Sequence, residues 1–369
     1  MNNKIKILIL LLGLGLLVWT RFYNLDISAR FIWDESSDLI RMNKLYKDFR
    51  LTMLGPMSED GVKIFGSLTY YLTLPFVVAF DFRPVSSAWA TAFFGFLTVV
   101  ILLWFLKKSK ISFPIISIFC LFLVSYPLLQ AARWAWNPHF IPFWQSLGLL
   151  AFLFGGNIGL ILSGLFFGLT IHHHYYGLFV ALGFLLIVGW EKKIKFKNIG
   201  LYLLGLGMAI FPFILFDITH PPGLFFSRMI SFSPLAYQNG AFNIKNMLLN
   251  IIYIPWSFIK YLTGEKIVFG WITLILSILN IIKLKKDQSQ KWLLAVLIHF
   301  LGLSVIGGEI FDHYLLPAVI FYYLWIVFSY KKSLISKLLV YILIISNIFA
   351  LQSIIFKNDW STNISKRKE

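Results

Sequence analysis

Acidic residues are the scarcest charged residues in this sequence, and charge of either sign is rare. The chain of 369 residues has 16 Asp and Glu against 33 Lys and Arg, and charged residues make up only 13% of it. Hydrophobic residues make up 59%, and the mean hydropathy is +0.78. This composition excludes an ordinary soluble protein and predicts an all-α integral membrane protein.

Cysteine is almost absent from the sequence, and nucleotide-binding motifs are absent. Cys120 is the only cysteine and lies in an apolar run, so no disulfide can form within the chain. The sequence contains no Gly-rich phosphate loop, Walker sequence or dinucleotide fingerprint. These absences argue against an ATP-driven pump and against a cytoplasmic enzyme that uses nucleotide sugars.

Long apolar runs predict about 11 transmembrane helices, within a range of roughly 10 to 12, because about 20 apolar residues cross a bilayer. The first run, within residues 1–20, has no signal-peptide cleavage site after it, so we predict a retained helix. The predicted spans lie near residues 4–20, 86–106, 111–130, 139–155, 157–172, 174–190, 198–216, 266–283, 291–307, 314–330 and 334–352.

Basic loops predict the orientation in the membrane. Four of them, 107–110, 191–197, 283–291 and 331–337, fall on one side of the predicted arrangement. The positive-inside rule makes this side cytoplasmic, which predicts a plasma-membrane protein with a cytoplasmic N-terminus. Only two of the 16 acidic residues, Glu191 and Asp287, fall on that side. The net charge of +17 is therefore a topology signal, and nucleic-acid binding is not needed to explain it.

The chain is predicted to be one polytopic domain over residues 1–369. Its predicted parts are a first helix (1–20), an outer loop (21–85), central helices (86–216), an outer loop with an interfacial helix (217–265) and C-terminal helices (266–369). Residues 64–80 are apolar enough to enter the membrane, but a crossing there would invert every later loop. We therefore predict that this segment is re-entrant or interfacial.

Polar clusters lie at the predicted outer ends of the helices. They are WDESSD (33–38), SEDGVK (58–63), DFR (81–83), ARWAWNPH (132–139), HHHYY (172–176), FDITH (216–220) and GEIFDHY (308–314). One such cluster alone is typical of a solvated helix end, and residues 31–41 alone would suit an amphipathic helix on the bilayer. Their collection on one surface indicates an extracytoplasmic active site or a transport vestibule.

Several of these segments resemble polytopic GT-C glycosyltransferases, and among them the protein O-mannosyltransferase and aminoarabinose-transferase group. The acid pair Asp34-Glu35, shortly after the first helix, is the most specific feature. The supporting patterns, which extend the resemblance over most of the chain, are Leu54-Gly55-Pro56, Gly66-Ser67-Leu68 leading to Tyr70-Tyr71-Leu72 and Pro75, Arg83 before a helix with Gly95, Arg133, His174-Tyr175, and His313-Tyr314-Leu315-Leu316-Pro317.

The resemblance implies a GT-C fold and an inverting transfer of a sugar from a polyprenyl-phosphate donor. The acceptor would be a glycan, lipid or protein on the extracytoplasmic face. Asp34 is the candidate base for the acceptor hydroxyl, and Glu35 orients the acceptor or pairs with a base. Lys63, Arg83 and Arg133 are the candidates for binding the donor phosphate, because cations stabilise a leaving phosphate.

Histidines and tyrosines are the remaining candidates. His174 and Tyr175 are predicted to hydrogen-bond the sugar or the phosphate. The residues that could complete the substrate pocket or a network around it are Asp217, His220, Asp312, His313 and Tyr314. The triplet 172–174 is not expected to bind a metal, because consecutive helical residues point about 100° apart. No cofactor is firmly implied, and a divalent metal is disfavoured but stays open.

A transporter or lipid flippase is the alternative function, since the same polar clusters would suit one vestibule of an alternating-access path. Charged residues inside the spans would favour transport, and the predicted spans carry almost none. The predicted partners of the transferase are the lipid bilayer, the polyprenyl-phosphate sugar and the acceptor, and no nucleic acid is among them.

Overall fold

The computed structural model describes residues 3–58, 63–109, 114–191, 195–226, 244–305 and 310–356, which are mostly helical. The helices are α1 (Asn3–Phe22), α2 (Leu25–Ser28), α3 (Trp33–Asp48), α4 (Leu68–Ala79), α5 (Ser86–Lys108), α6 (Ile115–Val124), α7 (Tyr126–Arg133), α8 (Ile141–Phe154), α9 (Gly156–His173), α10 (Gly177–Glu191), α11 (Phe196–Thr219), α12 (Ile244–Leu262), α13 (Ile267–Lys283), α14 (Lys291–Val305), α15 (Asp312–Ser329) and α16 (Leu334–Ile355). An antiparallel hairpin of β1 (Leu54–Met57) and β2 (Ile64–Gly66) precedes α4. The predicted all-α membrane fold is confirmed.

The helix α15 lies at the centre of the bundle, because nearly all of its side chains are buried. The ring of Phe321 lies 6.0 Å from that of Phe167 on α9 and 6.1 Å from that of Phe184 on α10. A helix that is apolar on every side has no face for water. The helix lies inside the bundle, where α7, α8, α10, α12, α14 and α16 also contact it.

The helices α6 and α7 meet at a bend of 48°. Pro127 has no N–H group to donate to the carbonyl of Leu123, so the helical ladder is interrupted there. The fully buried guanidinium of Arg21 donates to the carbonyls of Leu123 and Phe122, at 2.6 and 3.0 Å. The end of α1 is thereby held against the break between α6 and α7.

Four helices of the described residues are long and apolar enough to cross a membrane, namely α5, α11, α15 and α16. The number rises to six if two bent pairs each form one span: α6 with α7, and Met247–Leu262 with α13, bent by 117°. A helix, or the pair α6 and α7, occupies every predicted span. The number of crossings itself stays a prediction.

Each of the two segments predicted not to cross the membrane contains a helix. The helix α4 has 12 residues, which extend over about 18 Å, less than the about 30 Å of a hydrocarbon layer. It occupies most of the segment 64–80, which the sequence predicts to be re-entrant or interfacial. The helix α12 forms within the range 217–265, where an interfacial helix is predicted.

The two ends of the bundle differ in chemistry. At one end, which we name the lysine end, Lys291 pairs with Glu191, and Lys332 Nζ lies 2.6 Å from Asp287 Oδ2. The opposite end, which we name the acid end, is marked by Glu35, Trp134, His174 and His313. The lysine end carries the loops that the sequence predicts to be cytoplasmic.

Candidate active site

The acid pair lies in the first turn of α3, close to the end of α1. Helix α3 begins after Ile32, whose backbone N–H donates to Glu35 Oε2 at 2.8 Å. A carboxylate three residues into a helix can satisfy an N–H group at its start and interacts favourably with the helix dipole. The local sequence thus places Asp34 and Glu35 together where the chain turns over the bundle.

Glu35 is anchored rather than free. Its side chain is 2% exposed, and Oε1 accepts a hydrogen bond from the indole N–H of Trp134. Burial raises the pKa of Glu35, and the bonds from Ile32 and Trp134 oppose this shift. Each oxygen of Glu35 therefore already has a donor from the protein, and neither donor is a basic side chain.

Asp34 lies beside this anchor and is only half-buried. Its charge acts on both Glu35 and Asp38, so three carboxyl groups share the start of α3. Like charges this close favour the binding of a proton by one of them. The structure thus places Asp34 at the half-buried edge of an acid cluster.

Asp38 belongs to the same cluster, although the motif alone gave it no role. Tyr70 donates a hydrogen bond to Asp38 Oδ1 at 2.7 Å, and Arg41 Nη1 lies 3.5 Å from the hydroxyl of Tyr70. Burial raises the pKa of Asp38 to about 7, with Tyr70 and Arg41 acting in the opposite direction. The available signal was the spacing of four residues from Asp34, which puts both side chains on one helix face.

Lys63 and Arg30 are two of the cations at the acid end. Lys63, directly before β2, is half-buried and close enough to His174 and His313 for its charge to act on both rings. Arg30 is exposed, and its guanidinium lies over the ring of Trp134, 4.7 Å from the centroid. Lys63 is a predicted phosphate ligand, whereas no motif pointed to Arg30.

Aromatic and histidine rings form a wall beside these charges. Trp134 and Trp136 stack with centroids 4.6 Å apart, and the ring of His313 lies 4.1 Å from that of Trp136. Tyr314 lies 4.2 Å from His313 and 5.3 Å from His174. The sequence named His174, His313 and Tyr314 as site candidates, and the structure brings them together.

Arg133 has a different place from the one predicted. It is buried, and Nη1 donates to the carbonyls of Thr20 and Arg21 at 3.0 and 3.1 Å. Nη2 donates to the carbonyl of Tyr23 at 2.7 Å and to the hydroxyl of Ser28. All four terminal N–H groups are used on the end of α1 and the turn after it. The prediction that Arg133 binds the donor phosphate is therefore corrected: its guanidinium satisfies carbonyls at a helix end.

Asp217 and Tyr175 also serve the fold. The carboxylate of Asp217 accepts the backbone N–H groups of three successive residues, 224–226, at 2.7 to 2.9 Å. The hydroxyl of Tyr175 donates to the carbonyl of Ile64 and so holds strand β2. His220 is exposed and stacks on Phe216 at 4.3 Å. These contacts give Asp217 and Tyr175 local structural roles, and the predicted substrate roles of Asp217, His220 and Tyr175 stay predictions.

Arg83 and Asp312 lie at the edges of the site. Arg83 is exposed in the loop between α4 and α5, and in the described part of the chain only its backbone forms hydrogen bonds. Asp312 is exposed at the start of α15, where Gln130, Lys260 and Arg30 interact with its carboxylate. Neither of the two predicted residues contacts Asp34 or Glu35.

The hairpin that carries Lys63 packs closely because two of its residues are glycines. A Cβ atom on Gly66 would lie 2.4 Å from His172 Nδ1, so any side chain here would push strand β2 away from α9. Gly55 on the facing strand is equally confined, since its Cβ would lie 2.1 Å from the carbonyl oxygen of Gly66. Both glycines belong to the patterns that carry the family resemblance.

Within the described residues, no group of three His, Cys, Asp or Glu side chains is arranged so that it could hold a metal ion.

Comparisons with known proteins agree with this picture at the level of the fold. No protein-family model and no curated protein matches the sequence. The crystal structure of ArnT from Cupriavidus metallidurans bound to undecaprenyl phosphate matches with a TM-score of 0.57 over 88% of this chain. The chain shares the fold of ArnT. The apo structure of the same ArnT matches over 88% of this chain with a TM-score of 0.54.

ArnT is a GT-C aminoarabinose transferase, so the predicted GT-C fold is confirmed. Sequence identity to the two ArnT structures is 12% and 13%, and this chain spans 60% and 59% of their length. At that identity the likeness to ArnT concerns the fold, and function has to be argued from the site.

Proposed function

We propose that this protein is a membrane glycosyltransferase that moves a sugar, with inversion, from a polyprenyl-phosphate donor to a glycan, lipid or protein acceptor on the extracytoplasmic face. The observation that carries the proposal is the position of the acid pair at one end of an ArnT-like bundle, the same end that carries Arg30 and Lys63. Arg30 lies over the Trp134 ring whose indole N–H donates to Glu35, and the charge of Lys63 acts on His174 and His313. A carboxylate and cations in one site match the two demands of the reaction, deprotonation of the acceptor and stabilisation of the leaving phosphate.

Asp34 is the proposed base. The acceptor hydroxyl is a poor nucleophile at neutral pH, so its proton has to pass to a carboxylate as the bond to the anomeric carbon forms. Asp34 is half-buried, whereas Glu35 is buried and accepts from Ile32 and Trp134. Glu35 positions the start of α3, and Asp34 acts on the acceptor.

Lys63 and Arg30 are the proposed ligands of the donor phosphate. The leaving phosphate needs no proton if cations stabilise its charge. Lys63 lies beside His174 and His313, which can donate or accept hydrogen bonds toward the sugar or the phosphate. Arg30 keeps its planar guanidinium exposed over Trp134 and can bind two phosphate oxygens at once.

The placement of charge supports transfer over transport. Buried Arg21 and Arg133 are engaged by backbone carbonyls. Of the described ion pairs, Lys291–Glu191 and Lys332–Asp287 lie at the lysine end, and Lys260–Glu265 lies at the end of α12. The substrate-accessible carboxylates and cations cluster at the acid end. A transport path would need such groups along its length.

The test is donor cleavage in proteoliposomes containing the purified protein and a panel of synthetic undecaprenyl-phosphate sugars, including aminoarabinose and mannose, with an envelope extract as acceptor. We expect protein-dependent release of undecaprenyl phosphate, measured by mass spectrometry, together with transfer of the sugar to the extract. Movement of an intact lipid-linked sugar between leaflets without cleavage would instead support the flippase alternative.

A further inference from the structure

A small polar pocket lies between α3, α4 and α5, behind the acid pair. It has a volume of about 10 Å³, which is about the minimum for one water molecule. Its polar lining consists of Glu35, Asp38, Thr69, Tyr70, Thr73, Ser87 and Thr91. A group of hydroxyls and carboxyls this dense, in a chain that is mostly apolar, suits the binding of water.

A buried chain of hydrogen bonds from Trp144 through His173 fixes the direction in which the Thr69 hydroxyl donates. Trp144 Nε1 lies 2.8 Å from His173 Nε2, and since an indole N–H can only donate, Nε2 is the acceptor. The ring proton of His173 is therefore on Nδ1, which lies 2.8 Å from Thr69 Oγ1 and donates to it. The hydroxyl of Thr69 makes no other hydrogen bond among the described residues. Its proton can therefore be donated into the pocket.

The other polar groups complete a site for one water molecule. Ser87 is 4% exposed, and its hydroxyl has no hydrogen-bond partner within the described chain. Asp38 Oδ1 accepts from Tyr70, which leaves the lone pairs of its second oxygen to the pocket. A water molecule here can accept from Thr69 and donate to Asp38, with Ser87 as a third partner.

The spacing of the acids links this pocket to the proposed base. Asp34 and Asp38 are four residues apart on α3, so their side chains are neighbours on one helix face. Their charges act on each other. A proton on Asp34 therefore has a carboxylate within one helical turn.

We propose that Asp38, together with a water molecule held by Thr69 and Ser87, receives the proton that Asp34 takes from the acceptor. In this step the acceptor O–H bond breaks as the bond from oxygen to the anomeric carbon forms and the bond from that carbon to the phosphate oxygen breaks. The proton passes from the acceptor to Asp34, then to Asp38 and finally to solvent. The inference rests on the proposed function, in which Asp38 is a positioning and relay residue and Asp34 the base.

The surroundings of Asp38 suit this exchange. The charged and titratable groups facing it are Asp34, Glu35 and Arg41 on α3 and Tyr70 on α4, while α5 contributes the hydroxyls of Ser87 and Thr91. Burial raises the pKa of Asp38 to about 7. A carboxyl with that pKa takes up and releases a proton near neutral pH.

Infrared titration of the carboxyl bands of the protein in nanodiscs tests the coupling without turnover. We expect a carboxyl that titrates near pH 7, is lost in Asp38→Asn, and moves to lower pH in Asp34→Asn because a repelling charge is removed. Thr69→Val should move it to higher pH, and Thr69→Ser should leave it in place. A band unmoved by both Asp34→Asn and Thr69→Val would overturn the inference, even if donor cleavage is observed.

The pH profile of donor cleavage provides the second readout. Turnover should rise as Asp38 ionises between about pH 6 and pH 8. Asp38→Asn should lose this rise and lower the rate at pH 8 about tenfold, while Asp38→Glu should restore the rise. A uniform loss at every pH in all Asp38 variants would show a structural role only. Absence of cleavage by the wild-type protein would contradict the proposed function, whereas the infrared result would still decide the coupling.

Discussion

At the scale of single residues, hydrogen-bond partners separate the charges that hold the fold from those that can act on a substrate. Arg133 and Arg21 both donate to backbone carbonyls inside the protein. Arg30, by contrast, keeps its guanidinium exposed over an aromatic ring. The same residue type therefore stabilises helix ends in two places and is available for an anion in a third.

Replacing Arg133 with Met tests this division. We expect a loss of about 3 kcal/mol in the free energy of unfolding, because several buried carbonyls lose charged donors. The matched variant Lys63→Met should leave unfolding nearly unchanged and weaken binding of undecaprenyl phosphate roughly tenfold to a hundredfold. Thermal unfolding and a binding titration on both proteins measure the two effects. The account of Arg133 fails if its variant binds weakly but unfolds normally.

Asp38 gives a pH dependence whose sign follows from its environment. Burial raises its pKa to about 7, whereas an aspartate in an unfolded chain titrates near 3.9. The folded state therefore prefers the protonated form, and the stability from this group is present below about pH 4 and lost as the pH rises through about 7. Asp38→Asn should unfold at a higher temperature than the wild type at pH 8, by up to about 4 kcal/mol in stability. Parallel pH curves for the two proteins would contradict this.

At the scale of elements, the sequence predicted most helices because apolar length alone specifies them. From a short motif it predicted a catalytic role for the acid pair, and from the parity of the loops it predicted that residues 64–80 do not cross; both stay predictions. The importance of Asp38, Arg30 and His173 was not predictable, since each depends on contacts between elements distant in sequence. Arg133 was misassigned because its charge is visible in the sequence and its carbonyl partners on α1 are not.

The close packing of the hairpin against α9 yields a prediction at the scale of elements. Gly66→Ala should push strand β2 off His172 and cost about 1 to 3 kcal/mol in stability, as overpacking of a filled site does. The control is Gly207→Ala on α11, where a Cβ atom meets nothing within 4 Å. That change should be neutral or stabilise the helix by up to about 1 kcal/mol. Equal effects in thermal unfolding would show that β2 is not confined by α9.

At the scale of the whole molecule, the acid end and the lysine end give the bundle a polarity. The positive-inside rule predicts that the lysine end faces the cytoplasm and the acid end faces outside, where the proposed lipid-linked sugar and its acceptor would meet. The ArnT-like fold accommodates such a one-sided site, because the acids, cations and aromatic rings collect where helix ends and the hairpin converge.

Cysteine labelling in intact cells tests this orientation. In a Cys120→Ala background, Asp81→Cys in the exposed loop after α4 should react with an impermeant thiol reagent. Lys285→Cys, exposed at the lysine end, should react only after the cells are permeabilised. Labelling of position 285 from outside would reverse the assignment of the two ends.

The central claim is that Asp34 takes the acceptor proton during sugar transfer from a lipid phosphate. The most direct measurement compares undecaprenyl-phosphate release by the wild type and Asp34→Asn, at equal amounts of inserted protein and with the same synthetic donor. The account predicts a rate about two to four decades lower for Asp34→Asn, with donor binding retained because Lys63 and Arg30 are unchanged. Near-normal release by well-inserted Asp34→Asn protein would contradict it.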